Sequence, residues 1–87
     1  MDALKRNNPV PKEHSCEICG KSDADLRPRL NKHGTQLSNW FLDHDHLSGK
    51  FRGYLCMNCN LGLGKFMDDP EILSQAISYL NDRSGKQ

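Results

Sequence analysis

The sequence predicts a small α+β domain that is stapled by a metal ion, and three observations support this fold class. The chain has 87 residues, enough for one domain whose apolar core is marginal. Two Cys-x-x-Cys pairs, Cys16/Cys19 and Cys56/Cys59, enclose two short apolar runs with turn residues between them. Apolar residues at helical spacing follow the second pair. We therefore expect strand, turn, strand and helix (ββα), with a further packing helix at the C-terminal end.

The elements are predicted in chain order. Residues 1–13 contain Pro9 and Pro11 and show no periodicity, so we expect a mobile N-terminal arm. Residues 14–81 are expected to form the folded, metal-bound domain. Strands are predicted at residues 40–42 and 51–55, because both runs are apolar and aromatic. The sequence Leu-Ser-Gly-Lys at 47–50 is typical of a turn, so the two strands form a hairpin.

Two helices are predicted after the hairpin. The first runs from the second cysteine pair to about residue 67, although Gly62 and Gly64 each cost roughly 1 kcal/mol relative to Ala. The second begins at Asp69, a natural N-cap, with Pro70 in its first turn. Residues 82–87 are polar and are expected to fray. The apolar residues that share one face of the second helix are Leu73, Ala76, Ile77 and Leu80.

The four cysteines are expected to bind one structural zinc ion rather than to form two disulfides. No secretory leader or apolar run of about 20 residues is visible, so we expect a soluble, cytoplasmic protein whose thiols stay reduced. Each Cys-x-x-Cys pair can point two thiolates at one zinc ion. Zinc would contribute on the order of 10–16 kcal/mol, so the metal-free chain is expected to be largely unfolded. His14 is a possible substitute ligand, which we interpret as a loop residue.

Basic residues cluster near the cysteines although the net charge is only +1. Residues 1–67 hold ten Lys and Arg against seven Asp and Glu, whereas residues 68–87 hold two against four. The clusters are Arg27, Arg29 and Lys32 on one side of the run 43–46, and Lys50 and Arg52 on the other. An ordinary solvated surface would have the same composition. This pattern favours a polyanionic partner only in combination with a catalytic motif.

The run Asp43-His44-Asp45-His46 carries the candidate chemistry. Taken alone, it is compatible with a solvated turn, with metal-ion catalysis or with a second zinc site. Asp43 and Asn60 offer the oxygen ligands that Mg²⁺ prefers, and a neutral His44 can take a proton from an attacking water. Asn60 shares one side of a helix with Cys56 and Cys59. Asp43 and His44 would face opposite sides of a regular strand, so the strand must end about here.

In combination, these motifs resemble the phage recombination endonuclease VII family of HNH, or His-Me finger, nucleases. The resemblance covers roughly residues 14 to 80. It rests on Cys16-x-x-Cys19, Leu42-Asp43-His44-Asp45-His46, Gly49-Lys50-x-Arg52-Gly53-x-Leu55-Cys56-x-x-Cys59-Asn60 and Leu63-Gly64. It implies a ββα-metal nuclease fold with a four-cysteine zinc site.

The resemblance also implies roles for individual residues. Asp43 and Asn60 correspond to ligands of a catalytic divalent cation, Mg²⁺ or Mn²⁺, and His44 corresponds to the general base. His46 matches a further active-site histidine that orients or contacts the scissile phosphate. Asp45 either holds an imidazole or is simply exposed. The residues expected to contact DNA are Arg27, Arg29, Lys50 and Arg52.

The resemblance implies a DNA endonuclease that acts in a phage-infected or prophage-bearing cell. We expect hydrolysis with a single cation and nicking with low sequence specificity, because no base-reading helix is evident. The chain lacks the long C-terminal extension that junction-resolving members use for intertwined dimerisation. A monomer is therefore expected, with a dimer left open. The alternative function is a non-catalytic zinc-ribbon module that binds nucleic acid or protein.

Overall fold

A β-hairpin followed by a helix forms the centre of the domain, as predicted. The structure is a computed structural model that describes residues 2–84. In chain order, the elements are α1 (Asp2–Asn7), β1 (Arg29–Leu30), β2 (Gln36–Leu37), β3 (Phe41–His44), β4 (Phe51–Leu55), α2 (Met57–Lys65) and α3 (Pro70–Ser84). Strands β1 and β2 form one two-stranded antiparallel sheet, and β3 and β4 form another. The fold class is the α+β class predicted from the sequence.

The central hairpin carries an irregularity in its register. Phe41 pairs with Leu55 and Asp43 pairs with Gly53, but His44 pairs with Phe51, so that Arg52 is passed over. Such a bulge bends a strand and turns its side chains away from strict alternation. Strand β3 ends at His44, close to the position expected if Asp43 and His44 are to serve one site.

The core lies between the hairpin and the cysteine pairs. Its buried members are Cys16, Trp40, Leu42, Tyr54, Leu55 and Cys56, and partly buried apolar side chains pack around them. Trp40 is thus a core residue. No side chain among the described residues is both large and fully buried. This small core is consistent with a domain that needs a metal staple.

Both predicted helices form near their predicted limits. Helix α2 starts directly after Cys56, and α3 starts at Pro70, where the Asp69 carboxylate accepts a hydrogen bond from the Glu71 N–H at 2.9 Å. The apolar face of α3 is only partly covered. Leu73 and Ala76 are half-buried, whereas Ile77 is exposed. Packing of α3 on the domain is therefore limited to its N-terminal half.

Helix α1 lies within the segment predicted as an arm without periodicity. Leu4 packs against the core, and the Tyr54 hydroxyl donates to the Asn8 carbonyl oxygen at 2.7 Å. These contacts attach the segment to the hairpin, and its mobility stays a prediction. In the predicted frayed tail, residues 82–84 belong to α3, and residues 85–87 lie outside the described part. No helix among residues 2–84 is both long and apolar enough to cross a membrane.

Candidate active site and metal centre

The four cysteines converge into one cluster that fits zinc. The first pair lies on a turn in which the Gly20 N–H donates to the Cys16 carbonyl oxygen at 2.9 Å, with Gly20 at φ +78°. The second pair brackets the start of α2. All four Sγ atoms lie within 4.8 Å of one another. Cys19 and Cys56 are separated by 3.8 Å between sulfurs, close to the ~3.8 Å edge of a tetrahedron with 2.3 Å Zn–S bonds.

The thiols of this cluster differ in acidity. Burial opposes the ionisation of Cys16, but backbone N–H groups of Cys56, Cys19 and Ile18 lower its pKa to about 6. Burial and hydrogen bonds from the other cysteines raise the pKa of Cys59 to about 12. Negative charge on the Cys16 sulfur also opposes the ionisation of Cys59 when no cation lies between them. The donor set is therefore suited to a divalent ion that would favour the thiolate form of the sulfurs.

The predicted catalytic side chains line one open cleft of about 430 Å³ between the hairpin and α2. Asp43 and His44 reach it from the end of β3, His46 from the loop that follows, and Asn60 from the first half of α2. Asn60 lies in the first full turn of the helix, where its N–H donates to the Cys56 carbonyl oxygen at 3.0 Å. The whole lining comprises Leu42, Asp43, His44, His46, Asn60, Leu61, Gly64, Lys65 and Asp68.

A β-bulge in β4 lies opposite Asp43 and His44, which line the same cleft. The register shift falls between these two residues, at the position where a regular strand would send them to opposite faces. The ring centroids of His44 and His46 are 5.1 Å apart. Because Asp43 and His44 line one cleft, both side chains can contact the same bound group.

An ion-pair network that the sequence analysis missed lies along this cleft. Arg52 donates from Nε to Asp43 Oδ2 at 2.6 Å and from Nη2 to Asp43 Oδ1 at 2.9 Å. The same Nη2 donates to Asp68 Oδ2 at 2.9 Å, and His46 Nε2 lies 2.9 Å from that oxygen. Hydrogen bonds to Asp43 and Asp68 raise the pKa of the Arg52 guanidinium. Asp68 carried no sequence signal because it lies outside the recognisable motifs.

Asp45 shapes the hairpin loop. Its Oδ1 accepts hydrogen bonds from the backbone N–H groups of Leu47 at 2.9 Å and Ser48 at 2.8 Å. These bonds lower the pKa of its carboxyl, with the Ser48 N–H as the larger cause. Of the two roles left open for Asp45, an imidazole-holding contact and simple exposure, neither describes its hydrogen bonding. The carboxylate instead caps the turn that follows β3.

The four basic residues predicted to contact DNA differ in their surroundings. Arg52 holds two carboxylates, as described above. Arg29 donates to the Ser38 carbonyl oxygen and lies over the Phe41 ring, 4.5 Å from its centroid. Arg27 and Lys50 are exposed. Arg27 lines a second cleft of about 340 Å³ next to the cysteine cluster, on the side of α2 that carries Met57 and Asn58.

His14 is not a member of the cysteine cluster. Its Nε2 lies 2.9 Å from the Tyr54 carbonyl oxygen, and its ring meets Trp40 edge-on at 4.6 Å between centroids. His14 thus joins the N-terminal segment to the hairpin.

Comparisons with known proteins agree with this geometry. The recombination endonuclease VII family profile matches residues 5–82. The Gene 59 protein of Mycobacterium phage D29 is 39% identical over 66 residues, which cover 75% of this chain and 33% of that protein. The crystal structure of the ββα-Me type II restriction endonuclease Hpy99I superposes with a TM-score of 0.65 at 29% identity, covering 94% of this chain and 42% of the enzyme.

These comparisons set the scope of the assignment. The chain spans about a third of the phage protein's length and less than half of the restriction enzyme's length. The family match, in contrast, covers nearly the whole chain, including the cysteine cluster and the cleft. The structural match shows the ββα-Me nuclease fold. On this evidence, the chain belongs to the recombination endonuclease VII family.

Proposed function

We propose that this protein is a metal-dependent DNA endonuclease of the HNH type that hydrolyses phosphodiester bonds with one divalent cation. The observation that carries the proposal is the shared cleft. A carboxylate, an imidazole and an amide from two separate elements, Asp43, His44 and Asn60, line it together. If residues 43–46 were only a solvated turn, nothing would require Asn60 of α2 to line the same cleft.

The oxygen-donor pair fits a hard cation. Asp43 and Asn60 would hold Mg²⁺ or Mn²⁺ through a carboxylate and an amide oxygen, leaving the rest of the coordination shell for water and a phosphate oxygen. When bound, the cation stabilises negative charge on the phosphorus oxygens and on the leaving 3′ oxygen. The Arg52 guanidinium neutralises part of the local negative charge, so we expect weak cation binding until DNA contributes its phosphate.

His44 is assigned as the general base. A neutral imidazole at the cleft wall can accept the proton of a water molecule as it attacks phosphorus. His46 is assigned to the phosphate itself. Because a carboxylate only accepts hydrogen bonds, the His46 Nε2 near Asp68 carries a proton, and Nδ1 is left for other contacts.

The cysteine cluster is proposed to position Asn60 through helix α2. Zinc held by the four sulfurs would fix the start of α2, and Asn60 directly follows Cys59. The structural ion would therefore orient a ligand of the catalytic ion.

DNA is the proposed substrate, and exposed cations beside the cleft are the proposed phosphate contacts. Lys65, in the last turn of α2, lines the cleft, and Lys50 lies on the hairpin turn. Arg27 would extend the contact towards the second cleft. These contacts are made with the phosphate backbone, so we expect low sequence preference. Nicking of one strand by a monomer is part of the proposal.

A plasmid-nicking assay tests the proposal. Zinc-loaded protein with Mg²⁺ or Mn²⁺ is expected to convert supercoiled plasmid to nicked circles, and His44→Ala is expected to lose on the order of 10²–10⁴-fold in rate. His33→Ala is the matched control, because His33 is exposed in the β1–β2 turn, away from the cleft lining. Intact plasmid with tight DNA binding would favour the non-catalytic zinc-ribbon alternative. Equal cleavage by His44→Ala would refute the assigned base.

A further inference from the structure

Asp68 joins two residues of the cleft through a single oxygen. Its Oδ2 lies 2.9 Å from His46 Nε2 and accepts a hydrogen bond from Arg52 Nη2 at 2.9 Å. The Asp68 side chain is 18% exposed, whereas the His46 side chain is 67% exposed. The more exposed partner is therefore held by the better buried one.

The backbone at Asp68 is unusual for a residue with a side chain. Met67 and Asp68 both adopt left-handed conformations, with φ of +57° and +53°. Such a conformation is unfavourable for a residue with a side chain unless its surroundings compensate. The Met67 N–H donates to the Gly64 carbonyl oxygen at 3.0 Å, and the Asp68 N–H donates to that of Leu63 at 2.8 Å. This turn ends α2 and aims the Asp68 carboxylate back at the hairpin.

The contacts form a chain from the turn to the proposed cation ligand. Asp68 holds Arg52, and Arg52 holds both carboxylate oxygens of Asp43. Asp68 also orients the ring of His46. One carboxylate thus constrains the proposed phosphate contact and, through Arg52, the proposed metal ligand.

We propose that Asp68 is a positioning residue of the active site that orients His46 directly and Asp43 through Arg52. The proposal rests on the proposed function for the roles of Asp43 and His46. Asp68 itself is assigned no contact with substrate or cation. It restricts the orientations of the His46 and Asp43 side chains before DNA binds. We therefore expect it to increase the cleavage rate and to leave DNA affinity unchanged.

The left-handed backbone allows a clean test of this role. In Asp68→Gly, both side-chain contacts are removed while the turn keeps a residue that adopts positive φ without strain. Met67→Gly is the matched control, because it makes the same backbone change at the neighbouring position. The Met67 side chain is exposed and does not line the cleft. Neither variant is expected to unfold, which circular dichroism of the zinc-loaded proteins checks.

The first measurement is single-turnover cleavage at saturating protein and divalent ion. Asp68→Gly is expected to cleave at least about tenfold more slowly than the parent, with unchanged duplex affinity. Met67→Gly is expected to match the parent in both respects. Asp68→Asn keeps an acceptor oxygen and tolerates the left-handed backbone, so it should recover part of the rate.

The second measurement is long-range ¹H–¹⁵N NMR of the histidine rings, without DNA or divalent ion beyond zinc. In the parent and Met67→Gly, His46 should show a proton on Nε2, and in Asp68→Gly its ring ¹⁵N shifts should change. If the parent cleaves DNA, the inference requires both the slower rate and the NMR change in Asp68→Gly, and one of them without the other overturns it. If the parent cuts no DNA, the proposed function fails, and the NMR change alone then decides whether Asp68 orients His46.

Discussion

Arg52 grips Asp43 with two parallel hydrogen bonds, from Nε to Oδ2 at 2.6 Å and from Nη2 to Oδ1 at 2.9 Å. A bidentate pair of this kind fixes the plane of the carboxylate as well as neutralising part of its charge. Arg52 is the residue of β4 that the register shift leaves unpaired, so the irregularity lies beside Asp43 and supplies the side chain that holds it.

The bidentate pair between Arg52 and Asp43 predicts that Arg52→Lys loses cleavage rate but not DNA affinity. Lysine keeps the positive charge but cannot form the fork, so the Asp43 carboxylate is free to rotate. Cleavage by the DNA-bound protein is expected to fall on the order of 10–100-fold. The salt dependence of duplex binding should stay as in the parent, as measured by fluorescence anisotropy.

Lys50→Ala provides the contrast on the same hairpin. As a lost phosphate contact, it should weaken duplex binding and reduce the slope of log affinity against log salt by about 0.9. A reduced slope in Arg52→Lys, with an undiminished cleavage rate, would show that Arg52 contacts DNA and does not position Asp43.

Zinc removal is predicted to unfold the domain. The core is small, and the four sulfurs are within reach of one ion that would contribute on the order of 10–16 kcal/mol. Chelation should abolish the helical circular dichroism signal, and readdition of one equivalent of zinc per chain should restore it. A chelated protein that keeps its spectrum and contains no zinc would contradict the assignment of the cluster.

We predict that position 53 must be glycine because the Glu17 carboxylate occupies the space of a Cβ. A Cβ at position 53 would overlap the Glu17 carboxylate, which accepts a hydrogen bond from the Tyr54 N–H at 3.3 Å. Gly53→Ala should push that carboxylate away and lower the free energy of unfolding by about 1 kcal/mol. In a Glu17→Ala background the same change should be neutral, as measured by denaturant unfolding at saturating zinc. An equal cost in both backgrounds would show that Glu17 is not the obstacle.

Asp45 is predicted to act through its turn. Asp45→Asn retains an oxygen that can accept from Leu47 and Ser48, so it should cleave DNA like the parent. Asp45→Ala removes the acceptor, and amide exchange with water at Leu47 and Ser48 should accelerate. Loss of cleavage in Asp45→Asn would instead assign chemistry to the negative charge.

The local elements were predictable because each has a short-range cause. Two apolar runs around a Gly-containing turn predict the hairpin, and Asp69 with Pro70 predicts the start of α3. Helix α1 was missed because its six residues carry little periodicity, and Leu4 is attached by tertiary contacts. Propensity alone does not report such contacts.

The residues of the site were predictable, but the hydrogen bonds and ion pairs between them were not. The motif Asp43-His44 and the Cys59-Asn60 step indicate the residues that meet in the cleft. The pairing of Arg52 with Asp43 and Asp68 was not predictable, because an arginine near a catalytic motif is equally consistent, from sequence alone, with a phosphate contact. Asp68 meets His46 only because the chain reverses at the end of α2, which depends on two left-handed residues that no pattern marks.

The most direct test of the central claim, that Asp43 and Asn60 hold one divalent cation beside His44, is electron paramagnetic resonance of Mn²⁺ with protein and duplex DNA. His44→Ala serves as the parent background so that the DNA stays intact, and duplex alone provides the baseline. The predicted result is the loss of free-ion signal corresponding to one Mn²⁺ per chain. This uptake should disappear when Asp43→Ala or Asn60→Ala is added. Equal uptake with both substitutions, or none in the background, would contradict the account.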